Sequence, residues 1–183
     1  MWRVIFSHGR DSGPWGGKIQ YLSDIAGRMG FSITSVDYRG MSDPDERAEH
    51  LLKQLPGDER LILVGSSMGA YVSLKVSRDH PVEGLFLLAP AIGLSGYAEP
   101  WLEPSAPHTE VVHGWRDHLI EPQNVLKWGS QHRCTLHFVD DNHRLLISLP
   151  QIGGWFEDFL TARLRDVGNR LQTTCYSAAK AYY

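Results

Sequence analysis

The chain of 183 residues has a formal net charge of −3, with 42% hydrophobic and 21% charged residues. This is ordinary globular composition without a global positive field, which excludes a polyanion such as nucleic acid as partner. The length suits one domain, and no apolar run approaches the ~20 residues that a membrane helix needs, since "GLFLLAPAIGL" is broken by Pro90 and glycines.

In chain order, six short apolar runs read as buried strands: 3–7, 32–37, 60–65, 84–89, 109–114 and 134–140. Most lack clean alternation, the pattern of strands covered on both faces of a parallel sheet. Helical patterns lie between them. Ile19, Leu22, Ile25, Ala26 and Met29 repeat at the helical period within 15–29, which lays one apolar stripe on the sheet. Ser42 or Asp43 can cap a helix whose first position is Pro44, with Asp45 and Glu46 in the first turn and Ala48, Leu51, Leu52 and Leu55 following. Further helices are expected at 68–78, at about 121–130, and at about 146–165 with Ile152, Trp155, Phe156, Phe159 and Leu164 on one face.

Alternating strands and helices predict an α/β fold: a three-layer α/β/α sandwich around a mostly parallel six-stranded sheet, with ligands bound outside the carboxyl ends of the strands. A single domain over 1–168 is expected. Segment 90–108 holds four of the ten prolines and no periodic apolar face, and it reads as an ordered loop, with one helical turn at most, over that edge. The tail 169–183 has few core-type residues and reads as frayed or non-native. Cys134 and Cys175 fit no metal or redox spacing, and the chain start lacks a signal-peptide pattern, so a cytoplasmic, thiol-reduced protein is expected.

The stretch "LILVGSSMGAYVSLK" places Gly65-Ser66-Ser67-Met68-Gly69 between a strand and a helix. In Gly-x-Ser-x-Gly the central serine, here Ser67, sits on a strained turn, and the glycines let strand and helix approach closely. A serine hydroxyl is a poor nucleophile at neutral pH and needs a base, itself oriented by a third group. Asp117 follows the fifth strand and His143 follows the sixth, so the chain order is Ser, acid, His, each just past a strand. In that arrangement His143 takes and returns the serine proton while Asp117 fixes the imidazole tautomer. Backbone N–H groups of Met68, at a helix N-terminus, and Arg10, after His8-Gly9 at the end of the first strand, are the candidate oxyanion donors.

These motifs in register, "SHG..SGPWG.K", "DYR", "VGSSMG", "LLAP", "HG..D" and "D.HRL", resemble the α/β-hydrolase superfamily over about 3–160. More closely the chain is similar to small, cap-poor bacterial serine hydrolases, to which the YqiA-like esterases are related. The resemblance implies Ser67 as nucleophile, Asp117 as acid, His143 as base, and Arg10 and Met68 as oxyanion donors. The chain opens directly at the oxyanion strand, and the cap is reduced to 90–108, which leaves substrate size open. Epoxide and haloalkane hydrolases of this fold place a carboxylate where Ser67 stands.

The expected function is therefore that of a serine esterase or thioesterase acting on a small-molecule ester or thioester, with no metal or organic cofactor. The alternatives are lyase or perhydrolase chemistry on the same triad, or a non-catalytic protein-binding role. Trp15, Tyr97, Trp101, Trp115, Leu119 and Leu145, all in loops expected at the carboxyl edge, are the candidate substrate-pocket walls. Asp140 and Asp141 lie close enough to His143 to shape its loop, and His8 and His113 are expected to serve the loops' hydrogen bonding.

Overall fold

The computed structural model describes the backbone of residues 1–180 and the side chains of residues 1–166. Six strands, β1 (Trp2–Ser7), β2 (Ser32–Val36), β3 (Arg60–Ser66), β4 (Gly84–Leu88), β5 (Thr109–Gly114) and β6 (Thr135–Val139), form one sheet. Every neighbouring pair is parallel, in the order β2-β1-β3-β4-β5-β6. The helices are α1 (Gly17–Arg28), α2 (Pro44–Leu52), α3 (Met68–Asp79), α4 (Pro122–Gln131) and α5 (Leu149–Lys180). Helix α5 thus runs past the expected end near 165; the side chains of the 169–183 tail, and the backbone of its last three residues, lie outside the described residues.

Two apolar clusters flank the sheet. On one face Ile19, Leu22 and Ile25 of α1 and Ile152, Phe156 and Phe159 of α5 pack on Val4, Phe6, Ile62, Val64 and Phe86. On the other, Leu51 of α2, Ala70 and Leu74 of α3 and Trp128 of α4 pack on Ile5, Leu61, Leu63 and Leu85. Successive strand residues supply opposite clusters because their side chains alternate across the pleat. Burial on both faces explains why the strand sequences look uniformly apolar.

Local signals act where the chemistry requires. Asp43, not Ser42, caps α2: its Oδ1 accepts from the N–H of Asp45 at 2.7 Å and of Glu46 at 3.4 Å, and Pro44 follows at the first helical position. Segment 90–108 contains turns and no helix. Leu102 anchors it, buried in the second cluster and accepting at its carbonyl from Trp128 Nε1 at 2.7 Å.

The chain leaves β1 for α1 on one face and leaves β3 for α3 on the other, although β1 and β3 are neighbours. Diverging connections open a crevice at the carboxyl end of such a pair. Among the described residues no helix is long and apolar enough to cross a membrane.

Candidate active site

Ser67 occupies the turn between β3 and α3 with φ 55° and ψ −116°. Positive φ is costly for a residue with a Cβ, and the surroundings hold it: Ser67 N–H donates to Leu88 O at 2.9 Å, and its carbonyl accepts from Ala70 N–H at 3.0 Å. The flanking glycines explain the motif sterically. A Cβ on Gly69 would overlap the backbone of Ser7, and one on Gly65 would overlap the backbone of Gly69 and Ala70. Only glycine lets α3 seat this closely on β1 and β3.

The other two candidate residues converge on Ser67 from the ends of β5 and β6. His143 Nε2 lies 3.0 Å from Ser67 Oγ, and His143 Nδ1 lies 2.7 Å from Asp117 Oδ2. The second oxygen of Asp117 accepts from the N–H groups of Leu119 at 2.8 Å and Ile120 at 2.9 Å. Burial raises the Asp117 pKa, yet the His143 bond and these two N–H donors outweigh it and leave the carboxyl below its usual value. An ionised Asp117 requires the proton on His143 Nδ1, so that Nε2 is free to accept from the serine hydroxyl.

The N–H groups of Arg10 and Met68 donate to no acceptor among the described residues. The Arg10 loop is held from behind. Arg47, buried and on α2, donates from Nη1 to the carbonyls of His8 at 3.3 Å and Gly9 at 3.2 Å, from Nη2 to Arg10 O at 3.5 Å, and from Nε to Met41 O at 2.8 Å. His8 completes the loop: Nδ1–H donates to Gly9 O at 2.7 Å, and Nε2 accepts from Tyr38 N–H at 3.0 Å. Burial lowers the His8 pKa, which keeps the ring in this neutral form. Asp141, also buried, folds the histidine loop by accepting from Asn142 N–H at 2.7 Å and Ser148 N–H at 2.9 Å.

A cavity of about 630 Å³ opens onto Ser67 and His143. Tyr97 and Leu119 line it, with Leu94, Ile120 and Leu146, whereas Trp15, Trp101, Trp115 and Leu145 do not. The reasons are local. Leu145 has φ 56° and is buried in the first apolar cluster, leaving its neighbour Leu146 on the rim. Trp101 lies over Gly93, with ring atoms 2.9–3.0 Å from where a Cβ there would stand. Trp115 packs on Phe138 with ring centroids 4.3 Å apart, and Trp15 is 54% exposed.

Sequence reading overlooks Lys18. This half-buried lysine in the first turn of α1 lines the same cavity. Burial pushes its ammonium down to about 8, Asp117 opposes that shift and Arg144 adds to it. The Lys18 and Arg47 signals are present in the sequence only as isolated charges on helices, where a solvated face is the ordinary reading.

Known proteins share this architecture. A model of the alpha/beta hydrolase family matches residues 4–177. A protein of the alpha/beta hydrolase superfamily from Xanthomonas campestris pv. campestris is similar at 28% identity and TM-score 0.83, covering 88% of this chain and 99% of that one. Est1E from Butyrivibrio proteoclasticus is similar at 14% identity and TM-score 0.76, with 90% and 88% covered. The Pyrococcus furiosus esterase Pf2001 is similar at 16% identity and TM-score 0.72, with 88% and 83% covered. The last two likenesses concern the fold. A search of curated proteins returns no match. With a family match over nearly the whole length and the parallel sheet that goes with it, the chain belongs to the alpha/beta hydrolase family.

Proposed function

We propose that the protein is a serine hydrolase that cleaves carboxylic esters or thioesters of small to medium acyl groups through an acyl-enzyme on Ser67. The observation that carries this reading is the continuous chain from Ser67 Oγ to His143 Nε2, 3.0 Å, and from His143 Nδ1 to Asp117 Oδ2, 2.7 Å. A cavity of about 630 Å³, within the ~300–1,000 Å³ usual for small-ligand sites, supports a small-molecule substrate.

In this mechanism Ser67 Oγ attacks the acyl carbon as its proton passes to His143 Nε2, and Asp117 stabilises the resulting imidazolium. The N–H groups of Arg10 and Met68 receive the oxyanion, the latter aided by the positive end of α3. Collapse of the tetrahedral intermediate breaks the bond to the leaving alcohol or thiol, which takes the proton from Nε2. Water then attacks the acyl-enzyme with His143 as base, releasing the carboxylic acid and restoring Ser67.

A chromogenic short-acyl ester tests the reading directly. The wild-type protein is expected to turn it over and to form a fluorophosphonate adduct on Ser67, while Ser67→Ala loses nearly all activity and the adduct. Equal turnover by both proteins would overturn it. A wild-type protein without adduct or turnover would favour a binding role instead.

A further inference from the structure

The cavity beside Ser67 is cationic although the chain carries a net charge of −3. Arg10, Lys18 and Arg144 line it, against a single acidic residue, Asp11. The Lys18 ammonium makes no hydrogen bond or ion pair with any described residue. Its electrostatic neighbours are Asp117, Arg144 and Asp141. Neither acid is hydrogen-bonded to it: Asp117 accepts from His143, Leu119 and Ile120, and Asp141 accepts from Asn142 and Ser148. Arg144 is exposed, and its side chain likewise has no carboxylate partner among the described residues.

These two cations stand on the histidine side of the cavity. Arg144 directly follows His143, and all three electrostatic neighbours of Lys18 belong to the β5 and β6 ends that carry Asp117 and His143. The leaving group must lie on that side, because His143 Nε2 delivers its proton. A half-buried ammonium that has lost part of its hydration and gained no acceptor is stabilised by an anion brought to it, more strongly than a solvated lysine would be.

Resting on the ester-hydrolase reading, we propose that the substrate's leaving alcohol or thiol carries a carboxylate or phosphate, bound by Lys18 and Arg144 beside His143. The anionic group is a recognition element and takes no part in bond making or breaking. Gly16 and Gly17, which precede Lys18 at the start of α1, line the same cavity and add no side chain to it.

The test compares kcat/KM for 3-acetoxybenzoate and 3-acetoxyphenyl phosphate with that for the neutral methyl 3-acetoxybenzoate. Phenyl hemisuccinate against phenyl butyrate moves the anion to the acyl side. Wild-type protein is expected to prefer at least one leaving-group anion by about tenfold, and which one distinguishes carboxylate from phosphate. Lys18→Met should collapse that ratio, and the exposed-site variant Arg144→Gln should reduce it. Dividing by the neutral-ester rate of the same variant removes any general loss of activity. A ratio near one in the wild type, a ratio unchanged in both variants, or an equal gain for the hemisuccinate would overturn the inference while leaving the esterase reading in place. Failure to hydrolyse any ester, with no fluorophosphonate adduct, would instead sink the reading on which it rests.

Discussion

The guanidinium of Arg47 lies 3.2 Å through Nη1 from the carbonyl oxygen of Gly9 and gives its other hydrogen bonds to the carbonyls of His8, Arg10 and Met41. No carboxylate among the described residues takes part. This buried cation, whose guanidinium also lies over the Tyr38 ring with 5.3 Å to its centroid, donates to backbone oxygens and so orients the peptide planes of the 8–10 segment, leaving the Arg10 N–H directed away from them and without an acceptor among the described residues. Arg47 is therefore a positioning residue for a candidate oxyanion donor.

Replacing Arg47 by Met, which keeps bulk but removes every donor, is expected to lower kcat about 100-fold with a smaller change in KM. It should also lower stability, because each buried carbonyl left bare costs about 1–3 kcal/mol. Arg47→Lys should recover part of kcat. Steady-state kinetics with thermal melts of both variants check this; a loss confined to KM would contradict a positioning role.

Asp117→Asn preserves shape while offering an N–H where His143 Nδ1–H needs an acceptor. The expected fall in kcat is about 10⁴-fold, with the protein folded and the Leu119 and Ile120 N–H bonds kept. Turnover within tenfold of wild type would mean that the orienting acid lies elsewhere.

Lys18 supplies a pH signature. Burial brings its ammonium down to about 8 in the folded chain against an ordinary 10.5, with Asp117 and Asp141 opposing the shift and Arg144 adding to it. Between those values the unfolded chain holds a proton that the folded chain has released, so stability rises with pH across that window and the cost of the charge is fully present below it. Lys18→Met is thus expected to be more stable than wild type at pH 7, with the advantage shrinking from about pH 8 toward pH 10.5. Denaturant unfolding at pH 7, 8.5 and 10 measures the gap; a constant gap would contradict the shift.

Two glycines give opposite outcomes on substitution by alanine. Gly69→Ala drives a Cβ into the backbone of Ser7 and should cost at least about 2 kcal/mol, since neither β1 nor α3 can give way. Gly154, exposed in α5, has open space where its Cβ would lie. Gly154→Ala should stabilise by about 0.5–1 kcal/mol through helix propensity. Urea titrations of both variants suffice, and destabilisation by Gly154→Ala would argue against a helix at that position.

Much of this is written locally. Gly65, Ser67 and Gly69 announce the elbow because a tight turn between strand and helix leaves few residue choices, and the β2-α2 connection announces its helix through Asp43 and Pro44. Loop walls are less legible. Leu145 and Leu146 are equivalent as letters, and only the positive φ at Leu145 sends it into the core and its neighbour to the rim. The four candidate walls that miss the cavity are apolar residues in loops of the right edge, and an apolar loop residue can pack against the core, pack against another ring or meet solvent.

The sequence by itself determined the alternation of strands and helices, the elbow, and the chain order of serine, acid and histidine, because these follow from hydrophobic period and turn chemistry within a few residues. Only the tertiary structure decided that Arg47 reaches from α2 to the loop after β1, that the Lys18 ammonium lies at the cavity near Asp117, Asp141 and Arg144 with no hydrogen-bond partner among the described residues, and that Tyr97 and Leu119 line it. Those relations join residues on separate elements, and their distances depend on how the connections from β1 and β3 diverge across the sheet.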